Sequence, residues 1–174
     1  MAVSRGEPQS IGRRRGLAAR LPPRLRLALY PPFWLMRLKI VELDPHWRRV
    51  RIRLPLTRLT RNPGGTMFGG SQAALADPIA ALACARNFPG HSVWTRSLSI
   101  DFMHEARGDL DLRFEFTDLQ IEQIRTELAA RGRATPQFEY GYHDSSGRLC
   151  TVVHARIAIR PRGYRPARPE TADD

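Results

Sequence analysis

Hydrophobic and polar positions alternate with a period of two in six stretches of this chain, the spacing of a strand with one buried face. Residues 38–43 and 50–54 flank a turn at Asp44-Pro45. In the second of these, Val50, Ile52 and Leu54 alternate with Arg49, Arg51 and Arg53, so one face is dry and the other wet. Along 94–102, Leu98, Ile100 and Phe102 face one way and Thr95, Ser97, Ser99 and Asp101 the other. Leu110, Leu112, Phe114 and Phe116 alternate with Asp111, Arg113 and Glu115, and Phe138, Tyr140 and Tyr142 follow the same rule. Residues 151–159 end the series after the turn Asp144-Ser145-Ser146-Gly147.

Two stretches break the alternation. Residues 68–86 are alanine-rich and apolar nearly all round, which predicts a helix wrapped by protein. Residues 118–131 predict an amphipathic helix, with Leu119, Ile121, Ile124 and Leu128 against Glu122, Gln123, Arg125 and Glu127. Two strands, a buried helix and four more strands describe an α+β fold, an antiparallel sheet of five to six strands around one long helix. A short helix is expected before Tyr30, ended by Pro31-Pro32, and then an apolar plug from Phe33 to Met36. The expected organisation is a disordered basic leader at 1–20, one domain at 21–161 and a flexible tail at 162–174.

Charge sharpens this division. The 174 residues carry a net charge of +11, with a single lysine, Lys39, among the 28 basic residues. More than half of that excess lies before residue 31. Such a surface attracts anions through its field and through bidentate guanidinium contacts. The basic leader could touch a membrane surface or nucleic-acid phosphates, but no nucleic-acid module or aromatic platform accompanies it, so no specific nucleic-acid partner is expected. No apolar stretch approaches the roughly 20 residues that span a bilayer. Cys84 and Cys150 have neither a CxxC partner nor metal spacing, so free thiols in a reducing cytoplasm and no metal are expected.

The residues most suggestive of chemistry run from Asn62 to Gly70, Asn-Pro-Gly-Gly-Thr-Met-Phe-Gly-Gly, followed seven residues later by Asp77. Glycine-rich backbone in front of a helix exposes amide donors that favour developing negative charge. A carboxylate inside an apolar helix is a candidate general base or nucleophile, and burial would raise its pKa. The same aspartate has a second reading: Asp then Pro78 is the pattern of an N-cap followed by the first helical residue. Asn62, in turn chemistry of its own, is open to both a structural and a functional role.

That order of elements, with Asn-x-x-Gly-Thr-x-x-Gly-Gly at the helix start and Asp seven residues on, resembles the hotdog-fold acyl-CoA thioesterases, and within them the PaaI-like branch of phenylacetate degradation. The chain is similar to an uncharacterised bacterial hotdog family through Tyr30 to Trp34, the Gly65-Thr66-Met67-Phe68-Gly69-Gly70 loop, Ala76-Asp77-Pro78 and Ile100 to Phe102. The resemblance implies Asp77 as the catalytic carboxylate and Gly69-Gly70 as the site of the carbonyl-polarising amide. It implies a role for Asn62 and, on the strand, for Thr95, with Phe68, Thr66 and Arg61 lining the substrate. It implies hydrolysis of an acyl-CoA, with coenzyme A as part of the substrate and no separate cofactor. It implies a homodimer or tetramer whose sites face a loop of the partner. Many relatives carry His-Gly-Gly where this chain has Phe68-Gly69-Gly70, so a non-catalytic acyl-CoA-binding or regulatory protein is the alternative. None of the five histidines lies in the loop or the helix, which argues against dehydration, and no G-x-S-x-G elbow is present.

Overall fold

The computed structural model describes residues 23–164. The leader expected at 1–20 and most of the expected tail lie outside the described residues. Six strands and four helices follow in the order α1 (Pro23–Ala28), α2 (Pro31–Leu35), β1 (Lys39–Leu43), β2 (Arg49–Leu54), α3 (Gly69–Asn87), β3 (His91–Phe102), β4 (Leu110–Glu115), α4 (Asp118–Arg131), β5 (Gln137–His143) and β6 (Leu149–Pro161).

All six strands join one antiparallel sheet in the order β1-β2-β4-β5-β6-β3. Register brings dry faces together: Ile52 opposes Leu112 and Val50 opposes Phe114. Leu75, Ala76, Ile79, Ala80 and Ala83 of α3 are fully buried in one core with Ile52, Leu54, Leu112, Tyr142, Val153 and Ile157. At the far end of the helix Phe114, Phe116 and Phe138 form an aromatic cluster in which Phe116 and Phe138 meet edge to face, centroids 5.1 Å apart. Helix α4 starts on a capping box, Thr117 with Gln120, and ends at Gly132 in the left-handed region.

Several sequence expectations need correction. Pro31-Pro32 does not simply end a helix; it opens α2, where the missing N–H and fixed φ suit the first turn. Leu119 of α4 is exposed, and Ile121 and Ile124 carry the contact. Asp111, read as a wet position, is buried on the outer face of β4, where Arg51 and Arg53 of β2 close over it with hydrogen bonds of 2.5 to 3.2 Å. Helix α3 is not wrapped on all sides. The sheet covers one side, while Gly70, Ala74, Asp77, Leu82 and Ala85, with half-buried Pro78 and Ala81 between them, form an exposed stripe.

Candidate active site

The loop before α3 is cross-braced. Asn62 closes it: its N–H donates to the Thr66 carbonyl at 2.8 Å, its Oδ1 accepts from the Thr66 N–H at 3.1 Å and its Nδ2 donates to Thr66 Oγ1 at 2.9 Å. Gly65 completes the turn with φ +84°, a region that favours glycine. Arg61 bridges Met67 across the loop, and its side chain is exposed. The loop is then anchored to the body by Met67 N–H to Ala106 and Phe68 N–H to Thr60. Asn62 and Thr66 therefore bind each other, and their polar groups shape the loop.

Phe68 is the N-cap residue of α3, and its side chain supplies no capping hydrogen bond. The Phe68 carbonyl accepts from Ser71 and Gln72, which leaves the Gly69 and Gly70 N–H groups without an acceptor among the described residues. Two aromatic rings confine this end of the helix. A Cβ on Gly70 would lie 2.4 Å from the Phe68 ring, and one on Gly69 would lie 2.8 Å from the Phe102 ring. Only glycine lets both rings come so close to the backbone.

Asp77 lies two helical turns from Gly70 on the same exposed face, about 10 Å along the axis. Its carboxylate is exposed and makes no hydrogen bond or ion pair with another described residue. The burial expected of this carboxylate is therefore not supplied by this one chain. The N-cap reading of Asp77 also fails, because α3 runs unbroken from Gly69 to Asn87 with Pro78 inside it. Pro78 deprives the Ala74 carbonyl of its helical donor, and Ala74 lies on the exposed stripe where water can reach it.

Thr95 does meet Asp77, through the backbone: its Oγ1 donates to the Asp77 carbonyl at 2.8 Å. From the other side, Tyr140 Oη donates to the Ala76 carbonyl at 2.8 Å, and Tyr142 Oη to the Gln72 carbonyl at 2.5 Å. Burial first, and then the negative charge of Asp77, push the Tyr140 hydroxyl above the usual tyrosine range. Thr151 Oγ1 donates to Gln72 Oε1 at 2.7 Å, so the buried polar groups under α3 are satisfied. The alternating pattern identified Tyr140 and Tyr142 as inward-facing, but not that their hydroxyls would hold the helix.

The sequence also missed a groove beside Asp77. A cavity of about 610 Å³ lies between α3 and the N-terminal helices, lined by Leu27, Tyr30 and Phe33 and by Trp47 from the β1–β2 turn. Its floor is Ala74, Asp77, Pro78, Leu82, Ala85 and Arg86. Trp47 reaches it from a left-handed backbone position, φ +59°, in a turn held by Asp44 Oδ1, which accepts from His46 and Arg48 N–H at 2.9 Å each. The apolar plug divides accordingly: Phe33 and Met36 are buried, while Trp34 and Leu35 face outward. Among the described residues no group of three or more His, Cys, Asp or Glu is placed to hold a metal ion.

An antiparallel six-stranded sheet packed on one long helix, with that helix starting on unpaired glycine amides, defines a protein of the hotdog fold, the architecture of known thioesterases. The chain belongs to the DUF4442 family, a domain of unknown function, matched over residues 20–160. A Pseudomonas aeruginosa protein of unknown function, described as a probable thioesterase, has a crystal structure with TM-score 0.71 and 23% identity, covering 81% of this chain and 97% of that one. A Haemophilus influenzae thioesterase gives TM-score 0.63 at 17% identity, covering 82% and 91%. A Staphylococcus aureus thioesterase variant gives 0.56 at 20%, covering 72% and 95%. At these identities the likeness establishes the fold. No curated protein matches the chain.

Proposed function

We propose that this protein hydrolyses an acyl-CoA or related thioester. The observation that carries the reading is the pairing on one exposed helix face of unpaired Gly69 and Gly70 amides with a free carboxylate, Asp77, two turns away. A thioester carbonyl accepting from the amides is polarised, because helix-terminal N–H groups and the macrodipole both favour an oxyanion. Asp77 takes a proton from water as the water oxygen bonds to the carbonyl carbon. Collapse of the tetrahedral intermediate breaks the C–S bond, and the thiolate leaves and takes up a proton, yielding acid and thiol. Direct attack by the carboxylate, with an anhydride then opened by water, uses the same groups.

A second copy of this chain completes the site in this reading. Among the described residues the 12-residue edge strand β3 has an unpaired side, and the stripe around Asp77 is solvent-exposed along the groove floor. Covering both would desolvate Asp77 and bring a partner loop to it, in a homodimer or a tetramer. Within the fold, the loop and helix pattern supports a reading as a member of the PaaI-like branch. Arg61 beside the loop suits a CoA phosphate. The unpaired Cys84 and Cys150 fit a reducing cytoplasm.

The test is thiol release from a panel of acyl-CoAs by purified wild type and Asp77→Asn. A loss of 10²-fold or more in kcat for the variant is expected, on the scale of general-base catalysis. Equal rates would remove Asp77 from the chemistry. Tight acyl-CoA binding without turnover in either protein would favour the non-catalytic binder, with Phe68 standing where relatives keep an imidazole.

A further inference from the structure

We infer that the groove beside Asp77 is an acyl channel, that its substrate class is an extended aliphatic chain, and that helices α1 and α2 supply its wall. This rests on the thioesterase reading above and adds the acyl group, which the loop and Asp77 leave open.

The shape of the groove points to a chain. Its floor runs from Ala74 to Arg86, thirteen residues of α3, or about 18 Å of helix axis. Along that length the groove encloses about 610 Å³. The volume falls within the usual range for small-molecule sites. The length exceeds what a single aromatic ring would fill.

The lining points the same way. Between Asp77 and Arg86 the floor is Pro78, Leu82 and Ala85, and the opposite wall is Leu27, Tyr30, Phe33 and Trp47. Tyr30 and Phe33 meet edge to face at 5.2 Å, which fixes that wall. Alanines at 74 and 85 leave the room that larger side chains would fill. Among the described residues, Asp77 and Arg86 are the charged lining groups. The acyl carbon reached by water at Asp77 is thus the start of an apolar track. The wall comes from α1, α2 and the β1–β2 turn, and the floor from α3, the helix that carries Asp77.

The test is a chain-length series of straight-chain acyl-CoAs, with phenylacetyl-CoA beside it, on the full-length protein. Each methylene entering the groove should raise kcat/KM about fourfold until the groove is full. Ala85→Trp, at an exposed helix position, should lower the ratio of kcat/KM for the longest chain to that for the shortest at least tenfold, and Tyr30→Ala, which removes part of the apolar wall, should lower the gain per methylene. A flat series, preference for phenylacetyl-CoA, or variants that alter association between copies but not the chain profile would overturn the inference. If no thioester is hydrolysed, the function proposed above fails, and the channel is then judged by calorimetry with non-hydrolysable alkyl-CoA thioethers. A rise in affinity with chain length, truncated by Ala85→Trp, supports the channel, and affinity independent of chain length overturns it.

Discussion

The Thr95 hydroxyl donates to the backbone carbonyl of Asp77 at 2.8 Å, tying strand β3 to helix α3 at the residue before Pro78. The contact fixes where the Asp77 side chain leaves the helix, without touching the carboxylate. Thr95→Val should therefore act as a positioning change. We expect a loss of about 0.5–1.5 kcal/mol of stability, with kcat lowered more than KM is raised. Thr95→Ser should restore both, since it keeps the donor. Denaturant unfolding and steady-state thiol release on the three proteins check this.

Asp111 gives the sheet a pH dependence. The hydrogen bond from Arg53, followed by the bond and charge of Arg51, holds its carboxyl below the ordinary 3.8 despite the opposing effect of burial. A depressed folded-state pKa stabilises the protein above the unfolded value and is lost as pH falls through the folded one. The Asp111 contribution should thus be complete above about pH 5 and should fade below pH 3.8. Asp111→Asn should cost about 1–3 kcal/mol near neutrality and flatten the acid limb of stability against pH. Urea midpoints between pH 2 and 7 for both proteins measure it.

Gly141 is required by a close approach of two strands. A Cβ there would lie 2.5 Å from the Thr151 carbonyl oxygen, which belongs to backbone paired with β5. Backbone cannot swing aside as a side chain can, so Gly141→Ala should destabilise by about 1–3 kcal/mol. Gly108→Ala, whose Cβ would meet nothing within 4 Å, is the control and should change little. Thermal midpoints of the two variants decide this.

Both thiols should be silent in the native protein. Cys84 is fully buried, and burial pushes its thiol up to about 12; burial also raises Cys150. At pH 8 an aromatic disulfide reagent should titrate no thiol in the folded protein and two per chain in denaturant. Rapid native labelling at either position would contradict the packing around α3 and β6.

The alternation along β2, β4 and β5 was legible because each strand reports its own buried face. Val50, Ile52 and Leu54 are buried, as are Leu110, Leu112 and Phe114. The α3 segment was legible as a helix, and its glycines and Asp77 as its chemical residues. Its surroundings were not. An alanine-rich stretch looks equally apolar on every side, so nothing local says which side the sheet will cover. Asp111 misled for the same reason in reverse, since Arg51 and Arg53, which bury it, lie some sixty residues earlier on β2.

By itself the sequence determined the periods, and with them the strands, the two main helices and the position of glycine amides and a carboxylate two turns apart. Tertiary structure alone decided that Asp77 faces outward, that Thr95 and Tyr140 hold the helix backbone from β3 and β5, and that Leu27, Tyr30, Phe33 and Trp47 enclose a groove beside it. The physical reason is range. A side-chain period is fixed within a few residues, whereas burial and enclosure depend on which distant strands and helices pair, and antiparallel pairing orders β1-β2-β4-β5-β6-β3 irrespective of their order in the chain.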